Sequence, residues 1–222
     1  MPVVISANRG EAVNQLLVNY DCDVVVTDDG LQHYALQRDI ECVVIDSQRG
    51  FGNKQCLPVG PLREPLSRLK TVNFIIANGG VNHSIPPLAP TFGMELQAGT
   101  LTRLTTGEQL SIQEWLEQFF LEQKNSGIRK VHALAGIGNP NRFFSTLRGF
   151  GFEVIEHVFA DHYAYQAKDI NFGDTLPIIM TEKDAVKIQP FADQNCWYLA
   201  VDAVIDEQFY SSIIQQLKAL NN

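Results

Sequence analysis

The segment that most constrains the fold is VVVTDDGLQH, residues 24–33, in which an apolar run ends in two adjacent carboxylates. The run from Cys22 to Val26 does not alternate regularly, which is typical of a strand buried on both faces of a parallel sheet. Ligands of such sheets bind outside the carboxyl ends of the strands. The position of Asp28 and Asp29 therefore predicts chemistry there, with a simple Asp-Gly turn as the alternative.

The rest of the chain alternates strand-like and helix-like segments, which predicts an α/β fold. In the first half we predict a helix at residues 9–19 and strands at 3–6, 22–26, 39–46 and 71–78. The pattern of residues 92–112 favours paired strands. In the second half we predict a closing amphipathic helix at 207–219, and helices alternating with strands at 131–135, 152–160, 177–180 and 197–201.

Composition narrows the functional class. The 222 residues include 17 Lys and Arg against 25 Asp and Glu, and the net charge of −8 disfavours binding of nucleic acid through its phosphates. The four cysteines show no CxxC spacing, which indicates a reducing compartment without structural zinc. No apolar stretch approaches the roughly 20 residues that cross a bilayer, and the first residues lack a signal-peptide pattern, so we expect a soluble chain.

Asp28 and Asp29, with Gln32 and His33, form the first cluster of candidate site residues. Oxygen ligands suit Mg²⁺, and a metal ion would relieve the repulsion between two neighbouring carboxylates. An apolar strand that ends in aspartate is also the Walker B arrangement, in which the carboxylate holds Mg²⁺ beside nucleotide phosphates. Gln32 and His33 could bond a phosphate or a hydroxyl beside that ion.

Two further motifs each have a structural alternative. AGIGNPNRF, residues 135–143, could bind a phosphate at a helix start, but an N-cap at Asn139 followed by Pro140 explains most of that pattern. In MTEKDAVK, residues 180–187, a capping box explains the threonine and the aspartate. Lys183 is unexpected in the first turn of a helix and could face an anionic ligand.

His162 is the remaining candidate. It comes directly after the predicted strand that ends at Ala160 and stands beside Asp161. A histidine in that place is either a general base oriented by the aspartate or a structural side chain, and the local sequence does not decide between the two.

The order of these motifs along the chain resembles one protein family. DDGLQH, a Gly-rich loop, GPLREPLSRL, AGIGNPxRF, DHYAY and TEKDAVK occur in that sequence over most of the chain, and they are similar to the tetraacyldisaccharide 4′-kinases, the lipid A 4′-kinases. The resemblance implies a transferase that moves the γ-phosphate of ATP, with Mg²⁺, to the 4′-hydroxyl of an acylated glucosamine disaccharide 1-phosphate. It places that reaction in lipid A and lipopolysaccharide biosynthesis, at the cytoplasmic face of the bacterial inner membrane.

The resemblance also implies residue roles. Asp28 or Asp29 would hold Mg²⁺, so both are candidate catalytic residues and candidate metal ligands. His162 would be catalytic by orienting an aspartate base. A substrate-binding or phosphate-binding role falls to three side chains, namely Gln32, His33 and Arg63.

The sequence departs from the family at one point. Family members begin with a membrane anchor and a Gly-rich loop ending in Gly-Lys-Thr, and no GxxxxGK[ST] occurs in this chain. We therefore expect the C-terminal two-thirds of such a kinase, with an incomplete P-loop-kinase-like sheet domain (1–88), a β-strand linker region (89–125) and a small α/β domain with a closing helix (126–222). Contact with the membrane surface would come through the missing part, and this chain alone should be inactive because the phosphates are not positioned.

Two other functions stay open at this point. One is a truncated paralogue that binds the acceptor or a lipid without nucleotide chemistry. The other is a Mg²⁺-dependent phosphohydrolase that uses Asp28 or Asp29, although the order of the other motifs would then have no explanation.

Overall fold

The structure is a computed structural model that describes residues 1–122 and 129–220. It divides the chain into two compact units, the first formed by Met1–Glu95 with Val204–Asn222 and the second by Leu96–Ala203. This division differs from the predicted ranges because the closing helix belongs to the first unit rather than to the second. The boundary predicted between residues 125 and 126 lies outside the described residues.

The first unit contains a parallel sheet of three strands. They are β1 (Cys42–Asp46), β2 (Phe74–Asn78) and β3 (Thr91–Arg103), paired in that order, and β3 continues into the second unit. The first four residues of β2 are buried, as expected for a central strand with both faces covered. The strands predicted at 39–46 and 71–78 are therefore confirmed, each with a later start.

Two helices complete the first unit. Helix α1 (Arg9–Asn19) begins where the Asn8 side chain accepts hydrogen bonds from two backbone N–H groups of the first turn, which is a standard N-cap. Helix α5 (Glu207–Leu220) is the predicted closing helix. Its Phe209 ring packs edge-to-face on Phe74 and Phe92, with centroids 5.6 and 5.5 Å apart, so the helix buries its apolar face on β2 and β3.

Two of the predicted strands do not form. Residues 3–6 and 22–26 have no regular secondary structure, and Val24 and Val26 are 53% and 81% exposed. A strand is stable only where its backbone N–H and C=O groups find partners in a neighbouring strand. In the part of the chain that the structure describes, no strand pairs with either segment, which accounts for the exposure of Val24 and Val26.

The described residues of the second unit contain four further parallel strands. These strands are β5 (Lys130–Ala135), β6 (Glu153–Val158), β7 (Ile178–Thr181) and β8 (Cys196–Ile205). They pair in the order β8, β7, β5, β6, and all these pairings are parallel. A short strand, β4 (Gln109–Ser111), pairs antiparallel with β3, which confirms the paired strands predicted in residues 92–112.

In residues 96–122 and 129–203, three helices cover these strands: α2 (Ile112–Glu122), which was not predicted from the sequence, α3 (Pro140–Gly149) and α4 (Glu182–Ile188). Helix α3 buries Phe143, Phe144 and Leu147, and because Leu147 lies four positions after Phe143 and three after Phe144, the three side chains share one face. These side chains pack in one cluster with Trp115 of α2 and Trp197 of β8. Full burial of each large apolar side chain contributes about 1.5–3 kcal/mol. The fold is therefore α/β with mainly parallel strands.

No helix in residues 1–122 and 129–220 is both long enough and apolar enough to span a bilayer.

Candidate functional site

The DDG sequence forms a tight turn in the first unit. Asp29 has a left-handed backbone with φ of 49°, a conformation that aspartate tolerates better than most residues. A side chain on Gly30 would place its Cβ 2.3 Å from Thr27 Oγ1, so glycine is required there. A one-turn 3₁₀ helix, Gly30–Gln32, follows. The Asp-Gly turn is therefore real, and it leaves the side chains of both aspartates exposed to solvent.

The two carboxylates fit a magnesium ion. In the described residues, neither Asp28 nor Asp29 makes a hydrogen bond or an ion pair, so their oxygens are available. Mg²⁺ takes one or two carboxylates and keeps several waters or phosphate oxygens as its other ligands. Across residues 1–122 and 129–220 no three His, Cys, Asp or Glu side chains group as a metal site.

Gln32 joins this turn to the GPLREP loop. Its Oε1 accepts a hydrogen bond from Arg63 Nη1 at 3.0 Å, and its Nε2 donates to Glu64 Oε1 at 3.3 Å. The Tyr34 hydroxyl also donates to Glu64, and this hydrogen bond to a carboxylate raises the pKa of Tyr34. Two predicted site residues, Gln32 and Arg63, are therefore in direct contact although 31 positions separate them.

Glu41 anchors the same segments from its own position just before β1. Its carboxylate accepts from Arg38 Nη2 at 2.7 Å and from Arg68 Nη2 at 2.7 and 2.8 Å, and all three side chains are largely buried. Arg38 Nη1 donates to the carbonyl oxygens of Gly30 at 2.6 Å and His33 at 3.1 Å, so it fixes the turn that carries the candidate residues. The bond to Glu41 also raises the pKa of Arg68.

Arg38, Glu41 and Glu64 were not among the site residues predicted from the sequence. Glu41 fell inside a predicted strand and Glu64 beside a predicted cation, where an exposed charge is the usual expectation. A glutamate at the start of an apolar strand was the available signal, because a buried carboxylate requires partners.

In the second unit, Asp184 joins three of the motifs. Its side chain is fully buried and accepts hydrogen bonds from the Gly136 backbone N–H at 2.9 Å, the Tyr165 hydroxyl at 3.0 Å and the Thr181 hydroxyl at 2.6 Å. Burial and the neighbouring negative charge of Asp184 both raise the pKa of Tyr165. AGIGNP, DHYAY and TEKDAVK thus meet at the carboxyl ends of their parallel strands, which is where chemistry is placed in α/β sheets.

His162 lies after β6 with its side chain 80% exposed. Lys183, which the sequence suggested could face an anionic ligand, donates to the Asp161 carboxylate at 2.9 Å, and this contact holds the pKa of Asp161 below its usual range. His162 belongs to the second unit, and the other candidate residues, Asp28, Asp29, Gln32, His33 and Arg63, belong to the first. His33 is exposed.

The fold and these residues define an α/β protein whose candidate ligand-binding groups lie in the DDG turn and the GPLREP loop of the first unit and after β6 in the second. The family model of tetraacyldisaccharide-1-P 4′-kinase matches residues 1–218. The chain is 44% identical over 221 residues to the tetraacyldisaccharide 4′-kinase of Hahella chejuensis and 43% identical over 220 residues to that of Pseudomonas fluorescens. These two matches include 100% and 99% of this chain. The chain belongs to the tetraacyldisaccharide 4′-kinase family.

The match covers only part of the relatives. The chain spans 61% of the length of each of these two kinases, or about three-fifths. The crystal structure of LpxK from Aquifex aeolicus in complex with ATP superposes with a TM-score of 0.67 over 94% of this chain and 62% of that one. Sequence identity to it is 24%, so that likeness concerns the fold.

Proposed function

We propose that the protein containing this chain transfers the γ-phosphate of ATP to the 4′-hydroxyl of a tetraacyldisaccharide 1-phosphate in lipid A biosynthesis. Membership of the kinase family supports the reaction type, and the ATP named with the Aquifex aeolicus structure supports the phosphate donor. The single observation that carries the proposal is the hydrogen bond between Arg63 of the GPLREP loop and Gln32 of the DDGLQH segment, the segment that also contains the two unpaired carboxylates. It supports the proposal because phosphoryl transfer needs positioned cations to stabilise its developing charge.

Each residue of the first unit has a definite task in this proposal. Asp28 and Asp29 hold Mg²⁺, which when bound neutralises charge on the transferring phosphoryl group. Arg63 binds a phosphate oxygen, because its planar guanidinium keeps further N–H donors after one is taken by Gln32. Gln32 orients that guanidinium, and the exposed His33 bonds phosphate or acceptor hydroxyl.

His162 is assigned to proton removal from the acceptor hydroxyl, where it orients an aspartate base. Its ring is accessible, and the carboxylate of Asp161 holds its backbone. Groups that assist proton transfer contribute typically 10²–10⁴-fold to the chemical step.

We also propose that these 222 residues are inactive when isolated. The sequence contains no GxxxxGK[ST], the loop whose backbone N–H groups and lysine hold the β- and γ-phosphates of a nucleotide. The same observation favours a second candidate, a protein that binds the acceptor or a lipid without nucleotide chemistry. The reaction partner is an acylated disaccharide phosphate at the cytoplasmic face of the inner membrane, and no nucleic acid partner is proposed.

Transfer of labelled phosphate from ATP to tetraacyldisaccharide 1-phosphate, measured for the complete gene product and for this chain alone, separates the two candidates. We expect activity for the former only. Asp28→Asn and Asp29→Asn should each lower kcat/KM at least about 100-fold, or roughly 2.7 kcal/mol of transition-state stabilisation, whereas the exposed Asp21→Asn should match the wild type. Inactive complete protein that still binds the acceptor would refute the kinase and support the binding protein.

A further inference from the structure

The contacts of Asp161 tie His162 to a lysine from another motif. Asp161 Oδ1 accepts two hydrogen bonds, one from the backbone N–H of His162 at 3.0 Å and one from Lys183 Nζ at 2.9 Å. His162 has a φ of 60°, a left-handed conformation that costs free energy in residues other than glycine. The carboxylate therefore holds a strained backbone, and the lysine holds the carboxylate.

The imidazole of His162 lies near the other oxygen of the same carboxylate. Its Nε2 is 3.8 Å from Asp161 Oδ2, while Lys183 occupies Oδ1. An opposite charge within about 4–6 Å favours the charged form of an ionisable group. By neutralising Asp161, the ammonium group of Lys183 weakens the field that this carboxylate exerts on the imidazole.

The helix itself does not explain a lysine at position 183. Lys183 is the second residue of α4, and the positive end of a helix disfavours a cation there. The N-cap of this helix is made by other side chains. In the described part of the second unit, the charged groups that contact Asp161 are Lys183 and the His162 ring. Tyr163 packs its ring on Phe159, at 4.9 Å between centroids, and brings no charge. The ion pair with Asp161 is the interaction that accounts for Lys183.

We propose that Lys183 is a positioning residue for His162, acting through Asp161: it fixes the backbone of the histidine and offsets the carboxylate charge beside its ring. The inference rests on the proposed function, in which His162 takes part in proton transfer. Because Lys183 holds the pKa of Asp161 below its usual range, the ion pair persists at neutral pH.

NMR on this chain measures the effect of Lys183 on Asp161. The backbone amide resonance of His162 reports ionisation of Asp161 during an acid titration, because that amide donates to the carboxylate. Lys183→Met should move the inflection to higher pH, and Lys183→Arg should restore it. Lys168→Met, which alters an exposed lysine of the same unit, should leave it in place. An unchanged inflection in Lys183→Met, and in a second neutral variant, Lys183→Gln, would overturn the proposal.

The consequence for catalysis is measured on the complete gene product. Lys183→Met should lower kcat about tenfold at pH 6.5 with KM within about twofold, because a positioning effect acts on the chemical step. Lys183→Arg should restore kcat. An unaltered kcat in Lys183→Met refutes the positioning role and leaves the kinase assignment intact. Absence of phosphorylation by the wild type refutes the proposed function. The NMR titration then decides by itself whether Lys183 acts on Asp161.

Discussion

Replacement of Asp184 by alanine should strongly destabilise the second unit. The carboxylate accepts three hydrogen bonds from neutral donors, and hydrogen bonds to a charged group contribute about 1.5–3 kcal/mol each. Burying the carboxylate charge costs several kcal/mol, and the substitution removes that cost, which offsets part of the loss. Because the position has no solvent exposure, water does not replace the lost acceptor. We expect a net loss of about 3–5 kcal/mol in the free energy of unfolding.

Tryptophan fluorescence during urea unfolding measures this effect selectively. The two tryptophans of the chain, Trp115 and Trp197, both lie in the second unit, so their signal follows that unit. Asp184→Asn should cost about 2–3 kcal/mol, because its amide keeps one acceptor oxygen but turns an N–H toward other donors. Glu182→Ala, an exposed position in the same helix turn, should cost less than about 1 kcal/mol. A value for Asp184→Ala within about 1 kcal/mol of the wild type would refute the reasoning.

Gly136→Ala should destabilise the second unit by about 1–3 kcal/mol because its Cβ would lie 2.5 Å from the Tyr165 hydroxyl oxygen; Gly138→Ala, with nothing within 4 Å, is the control in the same urea assay. Burial and the neighbouring His132 lower the pKa of His157 from 6.5, so its contribution to stability is complete above about pH 6.5 and is lost as pH falls through the lowered value. The difference in the free energy of unfolding between pH 7.5 and pH 5.5 should therefore be smaller in His157→Gln than in the wild type. Equal differences in the two proteins would contradict this. Glu41→Ala removes the shared partner of two guanidinium groups and should raise amide hydrogen exchange in residues 30–36 several-fold, whereas no rise would show that the turn holds without it.

Local sequence pattern was sufficient to predict a helix or strand where that element is stabilised by its own residues or by near neighbours. Helix α1 begins and ends where it was predicted, because Asn8 caps it and the following positions favour a helix. The same pattern failed for residues 22–26, since an apolar run indicates burial but not which strand will pair with it. Helix α2 was missed because it follows directly on a short strand.

The candidate site divides in the same way. The motifs DDGLQH, GPLREP, DHYAY and TEKDAVK were recognisable because their order along the chain resembles that of one kinase family, and the family match agrees with that recognition. Which residues touch was not recognisable. The bond between Gln32 and Arg63, the two guanidinium groups on Glu41 and the donors around Asp184 join residues up to 48 positions apart.

The sequence by itself therefore determined the family, the α/β class and the residues available for chemistry, because these depend on residue type and on periodicity over a few positions. The tertiary structure alone decided that Asp184 is a buried acceptor of hydrogen bonds from three motifs. It also decided that Lys183 forms an ion pair with Asp161 beside His162. Parallel strands align their carboxyl ends only after distant segments pair. The partners of a buried charge are then set by that alignment rather than by spacing along the chain.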